Sequence, residues 1–303
     1  MLIDNKRIFI AGAGGMLGEA FYQLFKNKNT LECSDIDLNE DWLNYLDFRN
    51  FKDYKKKVND FKPDYLFHLG ALTDLEVCER DQENAYLTNT NSVENAVNIS
   101  NELNIPLLYI STAGIFDGKK DYYDDWDEGN PLSHYAKSKY QAECYVEKNS
   151  SKYLICRAGW MMGGGFKKDK KFICKIMKQI QSGNKEIFIV NDKSGTPTYT
   201  YDFAKNVDII LSNNCWGKYN LVCEGTTSRM EVAKELLKIT KKDIKIIEVN
   251  SDYFKDEYFA ERPRSEMLIN KKLNIKKLNI MRNWKICLKE YINNSFKEMI
   301  DEH

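Results

Sequence analysis

Short apolar runs alternate along this chain with longer segments in which apolar residues recur at a helical period. The first run, "KRIFIA" (6–11), leads into a glycine turn, and "MLGEAFYQLFK" (16–26) continues with apolar residues three and four apart. Strands separated by helices in this way predict an α/β fold with a doubly wound parallel sheet and right-handed crossovers. The later strands and helices of the pattern are, in order, "TLECSDI", "NFKDYKKKVNDF", "PDYLFHLG", "ENAYLTNTNSVENAVNISNEL", "IPLLYIST", "YAKSKYQAECYVEKN" and "KYLICRAGW".

The alternation becomes less regular in the second half of the chain. A basic, glycine-rich segment, "GGGFKKDKKF", is followed by irregularly spaced strands and helices up to a terminal helix in "NWKICLKEYINNSFKEMI". We therefore predict two closely joined units within the 303 residues, 1–160 and 161–303.

Charge, hydropathy and cysteine usage exclude several classes of protein. The 45 basic and 45 acidic side chains balance, so we expect no nucleic-acid partner. No apolar run approaches the roughly 20 residues of a membrane helix, and we expect no membrane insertion. The eight cysteines stand singly without a CxxC spacing, which predicts reduced thiols in a cytoplasmic protein. No acids or histidines have metal-site spacing, and we predict no metal.

The glycine turn "AGAGGMLG" follows the first strand directly and begins the first helix. Glycines in such a turn let the backbone approach a pyrophosphate, and the helix N-terminus supplies unpaired N–H groups with a partial positive charge. The alternative is an ordinary glycine-rich turn, since a lone GxxGxxG is weak. We predict dinucleotide binding, and the cofactor-binding residues assigned here are Gly12, Gly14, Gly15, Met16, Leu17 and Gly18.

An acidic residue is expected about 20 residues after the turn, where the second strand ends, to accept hydrogen bonds from the adenosine ribose. Asp35 and Asp37 in "CSDID" are the candidates, and we assign Asp35. A carboxylate there would repel the 2'-phosphate of NADP, so the sequence favours NAD(H) slightly over NADP(H). The alternative is that these acids form a solvated loop.

A second motif, "SHYAKSKYQAE", contains Tyr135 and Lys139 four residues apart, on one face of a helix. The spacing alone does not identify a catalytic pair, because two other tyrosines in the chain precede a lysine by four residues. Those two pairs are Tyr22 with Lys26 and Tyr201 with Lys205.

The glycine turn, "YISTAGIFDG" and "YAKSK" together resemble the extended short-chain dehydrogenase/reductase superfamily, and within it the dTDP-4-dehydrorhamnose reductase type. Members carry a Ser or Thr at the end of a strand and, about two dozen residues later, a Tyr-x-x-x-Lys helix. In this chain those positions are Thr112, Tyr135 and Lys139. Neither of the other two pairs lies at that distance behind a strand ending in Ser-Thr, so the context selects this pair as catalytic.

Three later segments extend the resemblance over nearly the whole chain. "IFIVNDKSGTPTYTYDFAKNV" resembles the family's Asp-x-x-Gly-x-Pro-Thr segment, "AERPRSEMLINKKL" its Arg-Pro-x-x-Ser-x-Leu segment, and "CRAGWMMGGG" its Arg-x-x-Trp. The chain departs from the family where members often have Asp-Tyr after Ser-Thr, because Ala113 and Gly114 stand there, and Lys193 stands where Gln is common. These departures lie near the expected sugar pocket and leave the particular hexose open.

The resemblance implies a role for each residue of the catalytic set. A ketone that accepts hydride develops negative charge on its oxygen, so the site must supply a proton and hydrogen bonds. Tyr135 is the expected acid, and Lys139 favours the phenolate in the reverse direction and binds the nicotinamide ribose. Thr112 is expected to bind the substrate carbonyl, the alternatives being a hydroxyl that satisfies local backbone, or Ser111 in its place.

Further cofactor and active-site contacts follow from the same resemblance. Asp47 in "YLDFRN" is the expected adenine contact, with a helix N-cap as the alternative. Gly70 and Ala71 in "FHLGALTD" would bring backbone close to the cofactor, the alternative being that they only end a strand, and Thr73 would lie near the substrate. Asn89 is expected to brace the active site from the neighbouring helix.

Aromatic and basic residues complete the expected substrate side. Trp160 would stack on a sugar or base, with a buried aromatic as the alternative. Arg157, Arg262 and the lysines of "GGGFKKDKKF" are plausible diphosphate contacts, with a solvated charged loop as the alternative for the lysines. Of these we assign Trp160 and Arg262, together with Thr73 and Thr112, to substrate binding.

The resemblance implies an NAD(P)H-dependent reductase of a nucleotide-activated 4-keto-6-deoxyhexose, with a nucleotide-diphosphate sugar as its partner. One alternative is a sugar-nucleotide epimerase or dehydratase; dehydratases usually add an acidic pair after the active-site Thr, which "STAGIF" lacks. Another is a non-catalytic NAD(P)-binding regulatory subunit, against which the complete catalytic set argues.

The same resemblance implies a function for each of the two predicted units. Residues 1–160 are expected to form a Rossmann dinucleotide-binding domain and 161–303 mainly a smaller C-terminal α/β substrate-binding lobe. Segments of that lobe near 187–212 are expected to pack back onto the Rossmann domain. The sugar, the base and the oligomeric state stay open, with a homodimer as one alternative.

Overall fold

The strands and helices are described for residues 3–299 of the computed structural model. The strands are β1 (Arg7–Ala11), β2 (Thr30–Asp35), β3 (Asn44–Tyr45), β4 (Tyr65–His68), β5 (Leu107–Thr112), β6 (Tyr153–Ala158), β7 (Trp160–Met162), β8 (Glu186–Val190), β9 (Ser194–Gly195), β10 (Pro197–Tyr199), β11 (Gly217–Asn220), β12 (Thr227–Ser228), β13 (Lys245–Val249) and β14 (Ser265–Glu266). The α-helices are α1 (Met16–Phe25), α2 (Phe51–Phe61), α3 (Leu75–Arg80), α4 (Gln82–Tyr86), α5 (Ser92–Glu102), α6 (His134–Asn149), α7 (Gly165–Lys168), α8 (Phe172–Gln181), α9 (Thr200–Ser212), α10 (Arg229–Thr240), α11 (Lys271–Lys276) and α12 (Trp284–Ser295). A π turn spans Leu87–Asn91, and 3₁₀ turns span Ala113–Ile115, Ser251–Phe254 and Lys297–Met299.

Seven of these strands form one central sheet in the order β3-β2-β1-β4-β5-β6-β11, and neighbouring strands are parallel. Six of them follow the strand order 3-2-1-4-5-6 of a doubly wound Rossmann sheet. The predicted fold class is therefore confirmed. The order reverses between β1 and β4, and sheets of this kind bind their ligands at the carboxyl ends of the strands at that point.

Both faces of the sheet are buried under helices. In β1 the side chains of Ile8 and Ile10 join the core under α1 and α9, whereas Phe9 and Ala11 join the core under α2, α5 and α6. A parallel strand that is buried on both faces has no polar position to alternate with apolar ones. This is why the first strand reads as a continuous apolar run rather than as an alternating one.

Helix α6 carries the Tyr-x-x-x-Lys spacing, and a local signal fixes where it begins. The N-cap residue, Ser133, has an extended backbone, and its Oγ accepts a hydrogen bond from the Ala136 N–H at 3.3 Å. An N-cap serine satisfies one of the N–H groups left free at a helix start. Tyr135 therefore falls in the first turn and Lys139 in the second, and the helix packs against β5 and β6.

The residues after β6 build smaller strand pairs and also contribute to the central sheet. Strand β7 pairs with β10, β8 with β13, and β9 with both β12 and β14. Strand β11 pairs with β6 in the central sheet, and α9 packs against α1. Parts of 161–303 thus contact the first 160 residues, while the division into two domains stays a prediction.

Two further kinds of feature, membrane-spanning helices and metal-binding clusters, are absent from the described part of the chain. Among 3–299, no helix has the length and apolar character that crossing a membrane requires. Within the same range no group of three or more His, Cys, Asp or Glu side chains is arranged to hold a metal ion. The eight cysteines are free thiols.

Candidate active site

The glycine turn lies where the strand order reverses. Gly12 follows β1 with a φ of +78°, and a Cβ on it would lie 2.2 Å from the Cα of Gly70, which follows β4. A Cβ on Gly70 would in turn lie 2.1 Å from the Phe48 ring. The two strand ends therefore approach backbone to backbone, and only glycine fits at either position.

The N-terminus of α1 is open beside this contact. Gly15 is its N-cap residue, and no side chain caps the helix. A Cβ on Gly15 would meet no atom within 4 Å, whereas one on Gly18 would lie 2.2 Å from the Ala13 carbonyl oxygen. Gly18 is needed for internal packing, while Gly15 leaves the uncapped N–H groups accessible. Such a helix end binds a pyrophosphate, so these residues fit a dinucleotide.

The side of this helix start, next to its open end, is bordered by the second half of the chain. Leu17 is buried in the core, and the half-buried Met16 contacts the glycine-rich segment, since a Cβ on Gly164 would lie 3.3 Å from the Met16 Cγ. The Nζ of Lys168 lies 3.0 Å from a carboxylate oxygen of Glu40. Lys167 also donates to Glu40, at 2.8 Å. Both lysines therefore pair with a protein carboxylate in this structure.

Asp35 ends β2 beside the turn. Its Oδ2 accepts a hydrogen bond from the Gly14 N–H at 2.8 Å, and its Oδ1 accepts one from the Asp37 N–H at 3.1 Å. The half-buried carboxylate is thus fixed at the strand end where the cofactor ribose is expected. Its contact with that ribose stays a prediction.

Asp47 lies in the loop before α2 and is paired with Arg49. The Arg49 guanidinium donates to both carboxylate oxygens, the shortest distance being 2.7 Å, and these hydrogen bonds hold the pKa of Asp47 below its usual value. The N-cap of α2 is Asn50, whose side chain accepts from the N–H groups of Lys52 and Asp53. The alternative of Asp47 as the N-cap is therefore wrong, and its adenine contact stays a prediction.

The structure brings Thr112 and Tyr135 together. Thr112 ends β5, and its Oγ1 accepts a hydrogen bond from the Gly114 N–H at 3.1 Å. Burial raises the pKa of Tyr135 to about 12, opposed by a hydrogen bond from the Thr112 side chain. The Thr112 hydroxyl is therefore close enough to Tyr135 to affect its protonation.

Lys139 lies one helical turn beyond Tyr135 and is 3% exposed. Its Nζ stands 4.3 Å from the centre of the Tyr109 ring. Burial lowers the pKa of Lys139 to about 7, and the charge of Glu143 opposes that change. Near neutral pH the Lys139 side chain is therefore partly a charged ammonium and partly a neutral amine.

His68, at the end of β4, is a neutral neighbour of this lysine. Its two ring nitrogens each lie 3.1 Å from a hydroxyl, that of Tyr54 and that of Ser92. Burial lowers the pKa of His68 to about 3, and the Lys139 charge adds to that effect. His68 therefore contributes no charge to the site above pH 4.

A buried ion pair lies behind the catalytic helix. The Arg157 guanidinium donates to both oxygens of Glu143, the shortest distance being 2.6 Å, and the two side chains are 1% and 0% exposed. Ser111 donates to the same carboxylate at 2.5 Å. The expected diphosphate contact of Arg157 is therefore wrong, because its guanidinium is enclosed and faces a protein carboxylate.

Asn89 fixes the segment that follows β4. Its Oδ1 accepts from the Leu72 N–H at 2.8 Å, and its Nδ2 donates to the Leu72 carbonyl at 3.0 Å and to the Ser138 Oγ at 3.1 Å. Asn89 belongs to the π turn, a helix irregularity common at functional sites. It connects α6 to the backbone between Ala71 and Thr73, where the expected cofactor and substrate contacts lie.

The indole of Trp160 forms a wall beside Glu266, whose charge also acts on Tyr135. Its Nε1 donates to the Glu266 Oε2 at 2.7 Å, and the Arg229 guanidinium lies 3.6 Å from the centre of its ring. Gly195 is pressed against the same indole, since a Cβ there would lie 2.4 Å from it. One ring face is thus covered by a cation, and stacking on a sugar or base would require Arg229 to move.

Two further expected substrate residues already have protein partners. The Lys171 Nζ donates to the Thr73 Oγ1 at 3.1 Å. Arg262 pairs with Glu76 at 2.8 Å and remains half-buried rather than enclosed. Substrate contacts by Thr73 and Arg262 stay predictions.

Sequence reasoning missed three charged residues. Glu143 had a detectable signal, since it follows Lys139 by four residues and so lies on the same helix face. Glu266 and Arg229 had none, because each reaches the site from a segment that is remote along the chain.

A Rossmann sheet with a Thr-Tyr-Lys set at the strand-order reversal defines a nicotinamide-dinucleotide-dependent oxidoreductase of the extended short-chain dehydrogenase/reductase class. The RmlD substrate binding domain family matches residues 6–296. The chain belongs to that family, as the resemblance predicted.

Two relatives with different names are similar to this chain. The spore coat polysaccharide biosynthesis protein SpsK of Bacillus subtilis is 27% identical over 289 residues, 94% of this chain and 96% of that protein. The methionine adenosyltransferase 2 subunit beta of Xenopus tropicalis is 29% identical over 206 residues, 67% of this chain and 61% of that protein. The second match therefore spans less than two thirds of the relative's own length.

Solved structures match over nearly the full chain. A dTDP-4-dehydrorhamnose reductase from Clostridium acetobutylicum has a TM-score of 0.86 at 30% identity, covering 95% of this chain and 99% of that one. A dTDP-4-dehydrorhamnose reductase from Bacillus anthracis, in complex with NADP, has a TM-score of 0.87 at 25% identity, covering 96% and 99%.

Replacing Gly15 should separate cofactor binding from folding. Gly15→Val places a side chain in open space at an extended backbone, so the protein should fold while affinity for NADH and NADPH falls roughly tenfold or more, about 1.4 kcal/mol. Fluorescence titration measures the affinity. As a contrast, Gly18→Ala should lower the unfolding temperature, and unchanged affinity in folded Gly15→Val would contradict the placement of the pyrophosphate.

Breaking the buried ion pair should destabilise the fold strongly. Glu143→Gln leaves the Arg157 charge enclosed without a counter-charge, which should lower the free energy of unfolding by about 3–5 kcal/mol. Urea denaturation measures this change. Glu147→Gln, on the same helix with a half-exposed Lys218 partner, should cost about 1 kcal/mol or less. Equal effects of the two substitutions would contradict the role given to the buried pair.

Proposed function

We propose that this protein reduces the ketone of a nucleotide-activated 4-keto-6-deoxyhexose, in deoxysugar and cell-surface polysaccharide biosynthesis. The observation that carries the proposal is the placement of Tyr135 and the buried Lys139 on α6, which packs against β5, the strand that Thr112 ends. The names of the relatives support the substrate class, since the two solved structures are dTDP-4-dehydrorhamnose reductases and SpsK is named for polysaccharide biosynthesis.

The three side chains divide the work of ketone reduction. The nicotinamide dinucleotide, when bound, supplies the hydride. Thr112 donates a hydrogen bond to the carbonyl oxygen and orients it, and Tyr135 donates the proton that the developing alkoxide takes up. The phenol, with its pKa at about 12, is protonated at neutral pH and ready to act as an acid. Lys139 supplies the charge that stabilises the phenolate, which forms when Tyr135 gives up its proton and which is the base in the reverse direction.

The cofactor would lie across the strand-order reversal. Its pyrophosphate would contact the glycine turn, its adenine Asp47, and its central part the backbone at Gly70 and Ala71. Asp35 would accept from the ribose hydroxyls and repel a 2'-phosphate, which favours NAD(H) over NADP(H). The Bacillus anthracis reductase is in complex with NADP. A structural neighbour therefore binds the cofactor form that Asp35 is proposed to disfavour. The residues proposed for the turn are Gly12, Gly14, Gly15, Met16, Leu17 and Gly18.

The substrate would lie between Thr112 and the Trp160 wall, with Thr73 and Arg262 at its border. To these we add Arg229, whose guanidinium donates to no described residue. Burial lowers the pKa of Arg229 to about 10, so it stays charged at neutral pH. A stacked guanidinium with free N–H groups suits the diphosphate of a nucleotide sugar.

Two alternatives compete with the reductase. The methionine adenosyltransferase subunit among the relatives favours a regulatory subunit, but such a subunit has no need of a complete Thr112, Tyr135 and Lys139 set. An epimerase or dehydratase would use the same set with bound NAD and consume no reduced cofactor.

The cellular compartment and the oligomeric state are part of the proposal. The eight cysteines are free, which supports a reducing compartment and hence the cytoplasm. A homodimer stays a prediction, which analytical ultracentrifugation tests.

The purified protein should oxidise NADH or NADPH with at least one member of a panel of dTDP-, UDP-, GDP- and CDP-linked 4-keto sugars. Tyr135→Phe keeps the ring but removes the proton donor, so turnover on the best substrate should fall by roughly 10²- to 10⁴-fold. Absorbance at the nicotinamide band measures the rate.

Two other tyrosines with the same spacing to a lysine are matched controls. Tyr22 stacks on Trp42 and Tyr201 lies on α9, so Tyr22→Phe and Tyr201→Phe should keep turnover within a few-fold of wild type. Near-normal turnover of Tyr135→Phe would contradict the reductase mechanism and favour the regulatory subunit.

The pH dependence should report Lys139. Its pKa of about 7 means that the ammonium is present below pH 7 and is lost as the pH rises. If the charge is required, kcat/KM for the sugar should fall about tenfold per pH unit above that value. Lys139→Met should have low activity without this descending limb. A flat wild-type profile between pH 6 and 9, or the same limb in Lys139→Met, would contradict the assignment.

A further inference from the structure

Glu266 reaches the active site from β14, in the second half of the chain. Its Oε2 accepts from the Trp160 Nε1 at 2.7 Å, and β14 pairs in parallel with β9 so that Glu266 stands opposite Gly195. One carboxylate oxygen is therefore held by the indole that forms the wall of the site. The second oxygen, Oε1, receives no hydrogen bond from any described residue.

The free oxygen of Glu266 lies on the same side of Gly114 as the Thr112 hydroxyl. A Cβ on Gly114 would lie 3.6 Å from Oε1 of Glu266 and 3.5 Å from Oγ1 of Thr112. The carboxylate and the catalytic hydroxyl thus border the same point, and Gly114 places no side chain between them. The Glu266 charge is also close enough to raise the pKa of Tyr135, a smaller effect than burial.

A carboxylate at this place opposes the reaction unless a substrate group neutralises its effect. Reduction puts negative charge on the ketone oxygen beside Thr112, and a second negative charge nearby raises the energy of that transition state. The Arg229 charge, which stacks on the same indole, offsets part of this cost. A hydrogen-bond donor on the substrate would satisfy Oε1 and offset the remainder.

We propose that Glu266 is a specificity-determining residue, whose Oε1 accepts a hydrogen bond from a hydroxyl or ammonium group on the ring carbon next to the ketone. The inference rests on the proposed reduction of a keto sugar nucleotide and narrows its substrate class to hexoses that carry such a donor. A sugar without the donor leaves a partly buried carboxylate oxygen unpaired. Because a hydrogen bond to a charged group contributes about 1.5–3 kcal/mol, the preference in kcat/KM should be roughly 10- to 100-fold.

The test compares three keto sugar nucleotides that carry a hydroxyl, an amino group or hydrogen at the carbon next to the ketone. Wild type should prefer the two donor-bearing sugars over the deoxy sugar. Glu266→Met should lose that preference, because its activity on the donor-bearing sugars falls much further than its activity on the deoxy sugar. Glu261→Met, an exposed glutamate of the same segment, should keep the wild-type ratios.

Glu266→Gln distinguishes the two donors. Its single amide oxygen accepts from the Trp160 Nε1, and its amide NH2 stands where Oε1 was. A substrate hydroxyl can accept from that NH2, whereas an ammonium can only donate, so the amino sugar should lose at least tenfold more kcat/KM than the hydroxyl sugar. An equal fall on all three sugars in Glu266→Met and Glu266→Gln would show a purely structural role and overturn the proposal.

The failure of the proposed function would be visible separately. Wild type would then oxidise no reduced cofactor with any sugar. In that case calorimetry compares the binding of 4-hydroxy sugar nucleotides that carry a hydroxyl, an amino group or hydrogen at the neighbouring carbon. Wild type should bind the donor-bearing sugars roughly tenfold or more tightly than the deoxy sugar, and Glu266→Met should not. Equal affinities of wild type for all three would overturn the role of Glu266.

Discussion

The buried ion pair between Glu143 and Arg157 is the interaction on which the geometry of the active site depends. Glu143 belongs to α6, one turn after Lys139, and Arg157 belongs to β6, where it stands opposite Ser111 of β5. Ser111 donates to the same carboxylate at 2.5 Å and directly precedes Thr112. One carboxylate therefore joins the catalytic helix to two strands. Because a buried charge is tolerated only when it is paired, α6 cannot slide along the sheet, and the three proposed catalytic side chains keep their relative positions.

Burial then acts in opposite directions on the pKa values of the two titratable groups proposed for catalysis. It raises the pKa of Tyr135 to about 12 and lowers that of Lys139 to about 7, so both neutral forms are favoured. A protonated phenol suits the reductive direction, in which the enzyme gives up a proton. The phenolate that this proton transfer leaves depends on the lysine charge, which Glu143 supports from one turn away.

The sequence was informative wherever a local rule dictates structure. Apolar runs predicted the parallel strands, and the glycine turn and the Tyr135 spacing predicted what stands at their carboxyl ends. Contacts between remote segments left no such signal, so the places of Glu266 and Arg229 beside Trp160 became visible only in the fold. Arg157 shows the converse error, because a charge pattern does not reveal that a guanidinium is enclosed. The cofactor and substrate contacts of the remaining residues stay predictions, since they depend on ligands rather than on the chain.

The central claim is that hydride passes from a nicotinamide to a ketone carbon held by Thr112 and Tyr135. Incubation with deuterated NADH or NADPH, labelled separately on each face of the nicotinamide, and a 4-keto sugar nucleotide tests it directly by nuclear magnetic resonance of the product. The account predicts one deuterium at the former ketone carbon, transferred from one face only, with one reduced cofactor consumed per sugar. A product that forms without deuterium at that carbon, or without net consumption of the cofactor, would contradict the account and favour an epimerase or dehydratase.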